Sequence, residues 1–188
     1  MAVNVDEAVR KAEDYLNGLK TIRSGFQQVV KGQGVSTGTF YLKKPGRFLW
    51  AYNYPGQERL ISTGKNLYFY EEESQQVTEL PRNTPMVKLM GVAKVSLKEA
   101  GFKVDKATRQ DGRLTLGLSL YDKTADLSTN ATLVFIEKPK MRLEKFISTN
   151  QLNQKVEVSF FGYEENVVLE DALFKFTPTI KKNNNEAY

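Results

Sequence analysis

The 188-residue chain contains no histidine and no cysteine. Without His there is no imidazole base for a Ser-His-Asp arrangement, and without Cys there is no thiolate nucleophile, disulfide, zinc finger or iron–sulfur ligand set. A hydrolase would be left with carboxylates, Lys, Tyr or a Ser–Lys pair. Long apolar runs are missing as well. None reaches the ~18 residues that a membrane-spanning helix needs, and Met1 to Glu7 shows no basic stretch followed by an apolar one, as a secretory leader would. That start is expected of a cytosolic protein, or of a mature form behind an added Met. An excess of one charge is small: 27 Lys+Arg against 22 Asp+Glu give a net +5. Basic residues form short groups (Lys43, Lys44, Arg47; Lys138, Lys140, Arg142, Lys145; Lys181, Lys182) with carboxylates between them, the pattern of a solvated surface.

What is plentiful is aromatic area. One Trp, nine Tyr and eleven Phe supply 21 rings, and nine of these fall within residues 40–70. The length predicts a single domain over residues 1–188, with a polar tail at 181–188 expected to fray.

Hydrophobic spacing predicts one amphipathic helix over 6–18, because Val9, Ala12, Leu16 and Leu19 recur at helical steps between acidic Asp6 and Glu7 and a closing Gly18. From Ile22 the period becomes two. Segments 22–30, 39–42, 48–54, 59–62 and 67–70 read as short strands, divided by turns at Gly32-Gln33-Gly34, Pro45-Gly46, Pro55-Gly56 and Gly64-Lys65-Asn66. Thr84-Pro85 reads as a helix start, with Met86, Leu89 and Met90 at helical spacing, and a second helical stretch is expected at Ser96–Ala100. Strands resume at 102–108, turn at Asp111-Gly112, and continue through 114–121, 131–137, 143–148, 155–161 and 172–176. The expectation is a mainly β antiparallel meander of about ten or eleven strands, with two or three helices covering an open face.

Phe48, Trp50, Tyr52 and Tyr54 share one face of a strand, and Tyr68 and Tyr70 share a face of another. Such rings are either ordinary core or the wall of an apolar site with tyrosine hydroxyls at its wet edge. Strands with apolar residues on both faces, as at Tyr41-Leu42, Leu67-Tyr68 and Phe160-Phe161, favour the second reading. Lys43 to Phe48 beside Trp50 has the flavour of nucleic-acid binding, but there is no RNP octapeptide. Glu71-Glu72-Glu73 reads as a solvated turn before an acid/base pair, and neither Gly32-Gln33-Gly34 nor Gly64-Lys65 leads into a helix as a phosphate loop must.

The order of several weak signals carries a resemblance. They are Phe26-Gln27-Gln28; Gly38; Leu42-Lys43-Lys44-Pro45-Gly46-Arg47-Phe48-Leu49-Trp50; Gly64 to Tyr70; Gln76-Val77-Thr78; Asn83-Thr84-Pro85; and Phe174-Lys175-Phe176-Thr177-Pro178. Over residues 8–178 the chain resembles the outer-membrane lipoprotein carrier protein (LolA) family. The resemblance implies an incomplete, half-open antiparallel β-barrel with a helical lid and an apolar cavity for the acyl chains of lipoproteins. It further implies a monomeric, non-enzymatic periplasmic chaperone, without metal or cofactor, that neither binds nucleic acid nor spans the membrane. Its cargo would come from an inner-membrane ABC transporter and pass to an outer-membrane lipoprotein receptor. By this match Phe48 and Trp50 fall on the family's cavity strand, and Leu16, Leu89 and Met90 at lid contacts; with the neighbouring rings Phe40, Tyr52, Tyr68 and Tyr70 they make up the expected cavity residues. Lys44 stands where the family commonly has an Arg that holds the lid to helix backbone, and its single ammonium should make a less directional clamp. Thr63 replaces a usual Asp, which bears on how firmly the Gly64 turn is fixed. The alternatives are a lipid- or lipoprotein-sensing adaptor of the same half-barrel, and a nucleic-acid-binding barrel.

Overall fold

Helix α1 spans Val5–Gly18 and starts where a capping residue allows it: the Asn4 side chain accepts from the Glu7 backbone N–H at 2.9 Å, and Asp6 and Glu7 complement the exposed amides of the first turn. The computed structural model describes residues 1–83, 85–122, 127–149 and 152–179. Leu19 and Lys20 lead directly from α1 into β1 (Thr21–Val30), followed by β2 (Gly34–Lys43), β3 (Arg47–Tyr54), β4 (Glu58–Thr63), β5 (Leu67–Glu71) and β6 (Gln76–Leu80). After helix α2 (Pro85–Met90) come β7 (Phe102–Gln110), β8 (Arg113–Asp122), β9 (Leu127–Ile136), β10 (Arg142–Thr149) and β11 (Lys155–Glu165).

All eleven strands form one antiparallel sheet, ordered β6-β5-β4-β3-β2-β1-β11-β10-β9-β8-β7. β1 pairs with β11 across most of the chain, Phe26 opposite Phe160, so the first and last strands meet in the middle. β6 and β7 are consecutive in sequence yet lie at opposite edges. The antiparallel meander expected from the alternation, and the half-open barrel that the resemblance implies, are therefore the observed architecture, and the connection between β6 and β7, with α2 in it, crosses the gap.

Alternation sorts the apolar residues into three clusters. On the face under α1, Ala8 and Ala12 pack against Leu97, Leu114, Leu116 and Phe135; two alanines give the helix the close approach it needs. On the same face of the other half, Phe26, Phe40, Phe48 and Trp50 pack with Leu67 and with Val87 of α2. On the outer face, Leu49 and Ile61 are covered by Leu169 and Phe174 of the C-terminal segment.

Two expected elements differ, and one strand was not expected. Ser96–Ala100 is a single turn, closed by the Ala100 N–H to Ser96 C=O bond and stopped by Gly101 at φ 93°. Ala172–Phe176 is no strand: Asp171–Phe174 is a 3-10 turn whose backbone bonds are local, leaving no ladder. Gln76–Leu80 supplies the eleventh strand instead, paired to β5. Thr84, the expected cap of α2, and the tail 181–188 lie outside the described residues.

Candidate functional site

Between the helices and the sheet lies a cavity of about 260 Å³. Six steps along β1, from Ile22 at the helix end to Gln28, give it a length of about 20 Å. Leu16 of α1 and Leu89 and Met90 of α2 and its end form the roof; Phe40, Trp50 and Tyr52 form one wall. The opposite wall comes from the second half of the chain, with Phe135, Leu143, Phe146, Val158 and Phe160. These are scattered in sequence and gathered by the β1–β11 pairing. Beyond the apolar pair at Phe160-Phe161, their only signal beforehand was the strand alternation itself.

The rings interlock. Trp50 lies 4.3 Å from Phe40 and 4.9 Å from Phe26 between centroids, with Phe160 at 5.9 Å. Phe26 also meets Tyr52 edge-on at 5.1 Å. Enclosed this way, the Trp50 indole N–H has no acceptor among the described residues, an omission that costs about 1–3 kcal/mol.

Three predicted cavity residues are placed elsewhere. Phe48 is wholly buried at the start of β3 in the cluster with Leu67 and Val87, so it supports the wall from beneath without lining it. Tyr68 and Tyr70 alternate with the inward Leu67 and turn to the outer face, 5.4 and 5.6 Å from Phe176, with the Arg59 guanidinium 4.8 Å over Tyr70. The C-terminal segment is what buries that side, and strand periodicity alone could not reveal it.

Polar groups of the site cluster at its two ends. At the helix end, Lys44 Nζ donates to the Leu16 carbonyl of α1 at 2.5 Å. Burial pushes the ammonium below the usual lysine range. Nearby, Tyr15 Oη donates to Tyr163 Oη at 2.8 Å and lies 3.2 Å from Glu165, while the Leu143 N–H donates to Tyr15. Burial above all raises both phenols well past their ordinary value, so they stay neutral. At the far end, Tyr52 Oη donates to Gln28 Oε1 at 3.1 Å, and burial again raises the phenol, with Glu58 adding to the effect.

The roof is tied together and to the barrel. Asn17 of α1 exchanges two bonds with the Val95 backbone, and Glu13 accepts from the Leu97 N–H at 2.8 Å. Arg82, just before α2, donates to the buried Ser62 hydroxyl at 2.9 Å, and Ser62 donates to the Gly46 carbonyl. Thr63 does the work of the expected Asp in its turn, its hydroxyl accepting from the Asn66 N–H at 3.1 Å. Among the described residues no group of three or more His, Cys, Asp or Glu could hold a metal, and no helix is long and apolar enough to cross a membrane. An apolar hollow walled by neutral groups and one lysine is suited to holding hydrocarbon.

A family model, Outer membrane lipoprotein carrier protein LolA, matches residues 17–177. A protein of Cupriavidus necator described as outer-membrane lipoprotein carrier protein is 29% identical over 183 residues, 90% of this chain and 83% of its own length. One of Methylococcus capsulatus with the same description is 24% identical, covering 89% and 82%. In fold, the chain is similar to the crystal structure of a LolA superfamily protein from Nitrosomonas europaea, with TM-score 0.52 and 10% identity over 93% of this chain and 99% of the other.

Proposed function

The chain belongs to the LolA family of outer membrane lipoprotein carrier proteins, and from that premise we propose that it is a periplasmic carrier that takes the acyl chains of lipoproteins into the cavity under α1 and α2. Cargo is received from an inner-membrane ABC transporter and released to an outer-membrane receptor, with no covalent step. The observation that carries this reading is the cavity itself: aromatic and aliphatic walls, roofed by two helices, with Lys44 fastening the roof to the barrel.

Magnitudes support the reading. Each buried methylene contributes about 0.8 kcal/mol, so about fifteen of them match the 12 kcal/mol of a nanomolar complex before association costs are counted. The volume of about 260 Å³ falls just short of the roughly 300–1,000 Å³ of small-molecule sites. Several acyl chains therefore require the roof to move. Closing it again on release, with Lys44 back on Leu16, offsets part of the hydrocarbon affinity and keeps the cargo from being trapped.

The test is extraction of labelled lipoprotein from inner-membrane vesicles into solution. Wild-type protein should release cargo in a soluble complex, and Trp50→Glu should lose that activity while keeping its β-sheet circular dichroism. Extraction at the wild-type rate by a folded Trp50→Glu variant refutes the placement of cargo in this cavity.

A further inference from the structure

The polar groups around the cavity are not equally engaged. At the helix end Lys44, Tyr15 and Tyr163 all have partners within the protein. At the other end Gln28, Tyr52 and Ser148 line the same cavity, held there by neighbouring registers: Gln28 faces Val158, and Ser148 faces Val156, two residues away on β11. Tyr52 occupies the Gln28 amide oxygen. The Gln28 amide N–H groups and the Ser148 hydroxyl have no partner among the described residues. Each of these side chains can donate, so an otherwise apolar wall holds a concentrated supply of unspent donors far from the roof.

Hydrocarbon cannot use such donors, and an ester carbonyl can. We propose that the Gln28–Tyr52–Ser148 end seats the ester-bearing glyceryl head of an acylated ligand, whose chains then run along Phe40, Trp50 and Phe160 toward Lys44. The proposal rests on the carrier reading and adds an orientation and a chemical preference to it. The cavity's length of about 20 Å exceeds the roughly 15 Å that half a bilayer's hydrocarbon core allots to an acyl chain. A chain anchored at Gln28 can thus lie extended below the roof. Ester-linked chains reach a protein on the diacylglyceryl cysteine of a lipoprotein or on a phospholipid, and both present the same carbonyls.

The full chain is titrated with a synthetic diacylglyceryl-cysteine peptide, its dialkyl-ether counterpart, and dipalmitoylphosphatidylglycerol with its own dialkyl-ether form, reading the emission of Trp50, the sole tryptophan. Wild type should bind the ester peptide about fivefold more tightly than the ether, the worth of one net hydrogen bond. Gln28→Leu with Ser148→Ala should erase the preference while leaving ether binding in place; Ser148→Ala alone, a smaller change, should reduce it. The same preference of the phospholipid over its own dialkyl-ether form supports the seat with either source, and one confined to the peptide supports it with the lipoprotein as source. Equal affinity of wild type for ester and ether, or an undiminished preference in the double variant, overturns the seat and leaves the carrier reading standing. Failure of wild type to bind any of the four overturns both.

Discussion

Replacing Lys44 by Met tests whether one side chain holds the roof down. The Leu16 carbonyl is among the last four of α1, which have no partner inside the helix, and the last turn of α1 carries no basic residue of its own. Lys44 supplies the missing donor and the missing positive charge from the β2–β3 turn. A hydrogen bond from a charged donor is worth about 1.5–3 kcal/mol, and half-burial of the ammonium takes back part of it, leaving about 1 kcal/mol net. That is about a fivefold change in the ratio of closed to open roof. Amide hydrogen exchange in the last turn of α1 should then quicken about fivefold in Lys44→Met, and an environment-sensitive apolar dye should bind about fivefold more tightly, because less closure energy opposes it. Lys44→Arg should stay near wild type on both counts. Unchanged exchange together with unchanged dye affinity in Lys44→Met would refute the reasoning, since the roof would then be held by its other bonds, Asn17–Val95, Glu13–Leu97 and Tyr15–Tyr163 among them.

Three other outcomes follow from packing and charge. Gly38→Ala drives a methyl into the Ala51 carbonyl and to 2.8 Å from the Phe26 ring, both fixed; at about 1–3 kcal/mol for overpacking, the melting temperature should fall by about 5 °C, and a fall under 1 °C contradicts the register of β2 on β3. Tyr68→Ala should cost about 1–2 kcal/mol through lost contact with Phe176 yet leave dye affinity within twofold; a tenfold loss of affinity in a folded variant would return Tyr68 to the cavity. Hydrogen bonds from Arg109, then Lys11, hold the Glu137 carboxyl at about 2 against its usual 4.5, so its folded-state value is depressed. Its contribution is present above about pH 4.5 and is lost as pH falls toward 2. With exposed partners it amounts to about 1 kcal/mol, and Glu137→Gln should flatten acid destabilisation in that window; an identical acid profile speaks against the pair.

Much of the fold was legible because local rules and tertiary environment agreed. Ala12 and Leu16 fell on one side of α1 at helical steps; Leu114 to Leu120 alternated strictly; and Asp111-Gly112, both with positive φ, made the tight hairpin their residue types favour. Lys44 was found through the order of its neighbours, and its bond to Leu16 lies between residues the sequence had already singled out. Tyr68 and Tyr70 lie outside the cavity for one physical cause. Leu67-Tyr68-Phe69-Tyr70 is apolar on both faces, so a period of two cannot say which set looks inward, and what settles it is a segment a hundred residues away folding over the outer side. Ala172–Phe176 looked like a strand for the complementary reason: its apolar residues satisfy that outer face while its backbone bonds only to itself. Phe135, Phe146 and Phe160 were inaudible as a group because only the closing pairing of β1 with β11 brings them opposite Trp50.

The two edge strands have a mechanical consequence. In a sealed cylinder of strands, girth is fixed by the hydrogen-bond ladder, and swelling around a bulky guest means tearing ladder bonds at about 1 kcal/mol each. Here β6 and β7 are not zipped to one another, and the chain that joins them passes through the six-residue α2. The circumference can therefore grow by uncurling the sheet along that seam, with every ladder bond intact, as a cuff widens at its slit.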